Sequence, residues 1–170
     1  MKKKSIIKIV LLCSSYILIA SSIGSKSLTY VLEDQYGNEH KSINNQGKKQ
    51  LLFLADRSGS EFTSNWTKVL EPLYRHNIEF VAFADVSSVP GFLKGFIKGK
   101  FKDAYSNPIL MDWEGKLFEY YNCPEGMPTI VFVDNKGIIR YKISGKGTNS
   151  ELQMLKEAIN QHISKWINNE

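Results

Sequence analysis

Two short stretches of this chain carry side chains with chemical capability. The first is Asp56-Arg57-Ser58-Gly59-Ser60-Glu61, which follows the unbroken apolar run Leu51-Leu52-Phe53-Leu54. Ser58 and Glu61 have the spacing of a capping box, where the hydroxyl accepts from the backbone N–H three residues on and the carboxylate reaches back to the cap. A helix start also gathers unpaired N–H groups and the positive end of the helix dipole, so Arg57 beside it could help to hold an anion. Read plainly, Ser58 and Glu61 cap a helix and Arg57 is solvated. The second stretch holds Cys123, flanked by Asn122, Pro124 and the acidic Glu125. A thiol attacks only as its thiolate, and none of these neighbours lowers its pKa. It could act alone, in a mixed disulfide, or be an inert, partly buried thiol. His40, His76 and His162 are scattered, without ligand spacing to one another or to Cys123. Neither a zinc site nor any other cofactor is expected.

The elements that must position these residues follow from apolar periodicity. Leu28 to Leu32 and Glu39 to Ile43 read as a hairpin around the turn residues Asp34 to Asn38. Gln50 to Ala55 is apolar without alternation, as in a strand buried on both faces. From Ser58 onward Phe62, Trp66, Val69, Leu70 and Leu73 recur at helical spacing, with Pro72 expected to kink or end that helix. Ile78 to Ala84 reads as a strand, Gly91 to Phe101 as a helix, Ile109 to Met111 as a strand and Lys116 to Tyr121 as a short helix. Thr129 to Val133 and Ile138 to Ile143 form a second hairpin around Asp134 to Gly137. Thr148 to Glu151 is another capping box, opening a helix whose apolar face is Leu152, Leu155, Ile159, Ile163 and Trp166. His162 falls on or beside that face and reads as packing. Strands alternating with helices, then a hairpin and a closing helix, predict an α/β domain: a mixed central sheet with helices on both faces and an N-terminal β-hairpin.

Charge excludes one class of function. The chain has 22 Lys and Arg against 17 Asp and Glu, a net charge of +5. Lys2, Lys3, Lys4 and Lys8 lie in the first 24 residues, which contain no acid, so the remainder is nearly neutral. It has no general attraction for a phosphate backbone, and no nucleic-acid partner is expected. The same 24 residues have the parts of a secretory signal. Lys2 to Lys4 are its basic region, Ile6 to Ile19 its apolar region, and the small residues from Ala20 to Ser25 its cleavage zone. Cleavage is expected near Ser22 or Gly24, leaving residues 25–170 as the domain; the rival is an uncleaved anchor. Cys13 lies inside the apolar region and leaves with it, so Cys123 is the one cysteine expected in the mature protein.

Gly126-Met127-Pro128-Thr129, followed by Ile130 to Val133, the Asn135-Lys136-Gly137 turn and Gly145, resembles the cis-proline segment of the thioredoxin superfamily. With Gln50 to Tyr74 the likeness covers most of residues 25–170. It implies a thioredoxin-like fold in which Ser58 aligns with the attacking cysteine and Glu61 with the resolving one. A serine hydroxyl is not ionised at neutral pH and forms no disulfide, so the dithiol chemistry is absent. Arg57 replaces the aromatic residue before the first cysteine, and Leu52 stands where many members carry a buried acid. The pattern Ala55 to Ser58, Asp85 to Pro90, Ile109 to Gly115 and Pro128 to Gly137 is similar to the YtfJ-like group of exported thioredoxin-fold proteins, which also lacks both cysteines.

The resemblance implies that Asp56, Arg57, Ser58, Ser60 and Glu61 sit beside Met127, Pro128 and Thr129. In the superfamily the backbone before the cis-proline pairs with an extended peptide, by strand addition. The leading expectation is therefore an exported protein, in a bacterial periplasm or outside the cell, that binds a peptide or protein at this groove without catalysis. The alternative is a thiol-dependent oxidoreductase or peroxiredoxin-like protein acting through Cys123. A third reading uses Phe92, Phe96, Phe101 and Tyr105, interleaved with Lys94, Lys98, Lys100 and Lys102, to meet a membrane surface or an acidic partner. A solvated amphipathic helix is the plainer account, and membrane contact is otherwise expected only through an uncleaved signal segment. Asn65-Trp66-Thr67 is formally a glycosylation sequon, set aside because Asn65 should lie on a helix.

Overall fold

The computed structural model describes residues 23–164. The expected signal segment lies almost wholly outside them, as do Cys13 and Trp166.

Eleven regular elements follow in order. They are β1 (Val31–Glu33), β2 (Glu39–Lys41), β3 (Gln50–Ala55), α1 (Ser60–Tyr74), β4 (Glu79–Asp85), α2 (Lys94–Ala104), β5 (Ile109–Asp112), α3 (Lys116–Tyr120), β6 (Thr129–Val133), β7 (Ile139–Ser144) and α4 (Asn149–Ser164). β1 and β2 form the expected antiparallel hairpin, shorter than its apolar pattern because Ser42–Asn45 turn into a 3₁₀ helix. The other five strands make one sheet in the order β5-β4-β3-β6-β7. β3, β4 and β5 are parallel, while β6 runs antiparallel to β3, and β7 to β6.

The continuous apolar runs of β3 and β6 are explained by their central position, since both faces of each are covered. On one face Leu51, Phe53, Ile130 and Phe132 pack against Trp66, Leu70 and Tyr74 of α1 and Leu152, Leu155 and Ile159 of α4. His162 belongs to this layer, its ring 5.9 Å from that of Phe132. At the edge of the same face Ile97 and Phe101 of α2 cover Ala84 and Met111. On the other face Leu52, Leu54, Phe83 and Val131 pack beneath Leu117 and Phe118 of α3 and Tyr30 of the N-terminal segment. That segment crosses the sheet from edge to edge. Lys26 bridges to Ile138 beside β7, and Asp34 bridges to Leu110 on β5. Buried Gln35 holds the far end, donating to the Tyr105 and Asn107 carbonyls and accepting from Ile109 N–H.

Pro72 lies exposed in the last turn of α1, which ends two residues later, as expected of a residue that cannot donate to the helix ladder. The Asn65 amide of the formal sequon donates to the Lys146 carbonyl at 2.8 Å, so it is engaged within the fold.

Candidate functional site

The carboxyl end of β3 delivers the chain to the start of α1, and the turn before β6 meets it there. The expected cap is not the one formed. Gly59 is the N-cap, with no side-chain hydrogen bond from its own position, and the exposed side chains of Ser58 and Glu61 make no capping box. Asp56 does the work instead. Its Oδ1 accepts from Gly59 N–H at 2.6 Å and its Oδ2 accepts from Gly126 N–H at 2.8 Å. One carboxylate thus satisfies donors on two segments 70 residues apart in sequence. A serine hydroxyl cannot bridge that seam, and charge-assisted bonds to a carboxylate are stronger than neutral ones. The Asp56 carbonyl also accepts from Ser60 N–H, and Ser60 Oγ donates to the Arg57 carbonyl at 2.7 Å.

The two segments touch through backbone. A Cβ built on Gly59 would lie 2.8 Å from the Met127 carbonyl carbon and 3.0 Å from its nitrogen. Only glycine allows this approach. The Met127–Pro128 bond is trans, since no described residue follows a cis peptide. This corrects the cis-proline expectation. Trans is the ordinary isomer even before proline, and Gly126 with φ +73° makes the reversal into β6. Pro128 is buried and its carbonyl accepts from Gly145 N–H at 3.1 Å. Among the described residues neither the N–H nor the C=O of half-buried Met127 has a hydrogen-bond partner. Arg57 is exposed at the mouth of the seam and makes no ion pair there.

Thr129 lies at the base, fully buried, its Oγ1 2.7 Å from Ser144 Oγ. Cys123 is not at the mouth but beneath the α3–β6 turn. It packs half-buried against the layer covered by α3. Burial pushes the thiol up to about 11, and the Thr129 contact and nearby Lys142 offset only part of that. At neutral pH about one molecule in ten thousand would carry the thiolate. Leu52 is 1% exposed in the apolar layer. The structure therefore gathers Asp56, Arg57, Ser58, Met127 and Pro128 at one seam, places Thr129 below it, and leaves Glu61 exposed on the first turn of α1.

No family model matches the chain, and no curated protein matches its sequence. Solved structures do match. The exposed lipoprotein thioredoxin Etrx1 of Streptococcus pneumoniae aligns at 24% identity with a TM-score of 0.59, over 76% of this chain and 99% of that one. A thiol peroxidase of Chromobacterium violaceum aligns at 10% identity and TM-score 0.60, over 84% and 88%. The thioredoxin domain of a thiol-disulfide oxidoreductase from Bacteroides vulgatus aligns at 16% identity and TM-score 0.55, over 81% and 98%. This chain has the thioredoxin fold. At such identities the likeness carries the fold alone, and within the thioredoxin fold the Asp56 seam falls at the start of the first long helix.

Proposed function

We propose that this chain is an exported thioredoxin-fold protein that binds an extended peptide, or an extended segment of a partner protein, at the Asp56–Met127 seam without dithiol chemistry. The observation that supports this is the open N–H and C=O of Met127 at the lip of the seam. An open donor and acceptor on one residue is what an added strand pairs with. Asp56 holds both lips, so the seam need not order itself on binding, which lowers the cost of association. Arg57 favours a ligand with an acidic group near the start of α1. The exported location rests on the basic and apolar composition of residues 1–24; one structural neighbour is itself described as an exposed lipoprotein. The narrower likeness to the YtfJ-like group rests on the sequence motifs.

A second reading has a specific observation behind it. The neighbours include thiol-disulfide oxidoreductases and a thiol peroxidase, and Cys123 is the free thiol of the described residues. Against it stand the depth of that thiol and its raised pKa. Insulin-reduction and peroxide-reduction assays, with Cys123→Ser alongside, separate the two. The binding reading expects no turnover by either protein. Turnover abolished by Cys123→Ser overturns it. The positive test is selection from a phage-displayed library of unstructured peptides, followed by NMR titration of the selected sequence. Binding should move the Met127 and Arg57 amides first; selection of nothing, or shifts confined to another surface, defeats the seam as the site.

A further inference from the structure

A second surface is independent of the seam. Helix α2 turns one side inward, where Ile97 and Phe101 cover the β4–β5 edge. Its outer side is not the solvated polar face of an ordinary surface helix. Phe96 is 61% exposed, and Phe92, in the 3₁₀ turn Gly91–Leu93 that leads into the helix, is 87% exposed. Gly91, Gly95 and Gly99 have nothing within 4 Å of where a Cβ would stand, so the two rings project from an otherwise bare ridge. Lys100 and Lys102 flank that ridge, whereas Lys94 falls on the inward side with Phe101. Lys100 lies over the Phe96 ring at 5.5 Å, Lys94 over Trp113 at 4.9 Å and Lys102 over Tyr36 at 5.9 Å. Lys98 is engaged by Glu33, and Asp103 is the one acid of the helix. Lys100 and Lys102, neither in a carboxylate hydrogen bond, therefore flank a ridge whose exposed rings are Phe92 and Phe96, the latter met by Lys100.

We propose that the outer face of residues 91–104 docks on an anionic phospholipid surface, the helix lying flat with Phe92 and Phe96 in the headgroup region and Lys100 and Lys102 at the level of the phosphates. An exposed ring gains by leaving water, and each lysine near an anionic leaflet adds attraction. A second copy is the poorer occupant, because a two-fold contact would set the same lysines against each other. An acidic protein matches the charge, but the rings rise from a ridge rather than line a groove that would seat a helix or a strand. No helix among the described residues is long and apolar enough to cross a membrane, so the contact is one of lying on the surface.

The test uses the full chain and a local readout, because the apolar stretch Ile6 to Ile19 can itself hold the chain on lipid. Amide hydrogen exchange is followed on vesicles of phosphatidylcholine and on vesicles with about one-third phosphatidylglycerol. The expected result is added protection at residues 91–105 on the anionic vesicles only, lost in about 0.5 M salt. Phe92→Ser with Phe96→Ser should abolish it while leaving exchange in β3 and β6 unchanged. Lys100→Gln with Lys102→Gln should raise the lipid needed for half-protection about 30-fold. Equal protection on both vesicles, or none on either, overturns the proposal. So does protection that appears without lipid as protein concentration rises, which would mark a second copy. Protection by an acidic polypeptide with none on anionic vesicles would replace the lipid with a protein partner.

Discussion

Helices α1 and α4 pack on the same face of the sheet and are joined by a hydrogen bond from Tyr74 to Asn160, yet their first turns are held in different ways. α4 is capped from within. Glu151 Oε2 accepts from Thr148 N–H at 2.8 Å, and Thr148 Oγ1 accepts from Glu151 N–H at 3.4 Å. α1 has the same Ser-x-x-Glu spacing and does not use it. Its first turn is held by Asp56, which at the same time grips Gly126 at the entry to the neighbouring strand β6. A local cap fixes a helix end and nothing more. A shared carboxylate fixes a helix end relative to a turn in another part of the chain, which is what a binding seam requires.

That difference can be broken by mutation. Asp56→Ala should be the most damaging change, leaving the Gly59 and Gly126 N–H groups without their acceptor. A loss of about 3 kcal/mol is expected by urea denaturation, together with loss of peptide binding. If Asp56→Ala is neutral, the seam is not held by this carboxylate. Gly59→Ala drives a Cβ into the Met127 backbone and should cost about 2 kcal/mol. A crystal structure of that variant should show the two segments moved apart. Thr148→Ala removes a purely local cap, and about 1 kcal/mol is expected, with seam binding untouched. Ser58→Ala should change stability by less than about 0.5 kcal/mol, because its hydroxyl caps nothing. A larger effect would restore the capping box rejected for α1.

Asp34 sharpens the contrast between local and distant partners. It collects the N–H groups of Tyr36 and Asn38, the Asn38 amide and the His40 ring, all within six residues. Burial works against its charge, but these donors prevail and hold the carboxyl at about 2. Its folded pKa lies below the unfolded value, so its contribution to stability is present above about pH 4 and is lost as pH falls towards 2. Asp34→Asn should flatten that acid limb of a stability-against-pH curve; an unchanged limb would show that the turn does not need the charge.

Which parts of the molecule were legible in its sequence follows the same division. The burial of β3 and β6 on both faces shows in Leu51 to Leu54 and Ile130 to Val133, because burial is written in composition. The Thr148 cap shows because both partners lie within one turn. Ser58 and Glu61 misled because that spacing states only what is locally available. The choice between Ser58 and Asp56 was settled by Gly126, which no window around the helix contains. Asp56 did carry a signal: an Asp three residues before a Gly, at the exit of a buried strand, is a ready acceptor for a helix start. The trans Met127–Pro128 bond was not readable, since the isomer depends on what the turn packs against. Cys123 is the half-buried thiol that the sequence offered as one reading, and Asn122, with φ 49°, helps turn the chain so that the thiol faces the core.

The N-terminal strap has a consequence for how the chain is made. Residues 24 to 27 and 34, among the first of the described chain to be synthesised, pair with the start of β7 and with β5, the two edge strands. Their partners at Gly137, Ile138 and Ile139 emerge only after β6, and Leu110 only with β5. Until β7 exists, a half-built sheet presents two open rims on which a neighbouring chain can pair. Late closure over so long a span is slow. Recovery from denaturant should therefore depend on dilution more than on the stability of the finished fold, and a chain kept from closing is also one kept threadable.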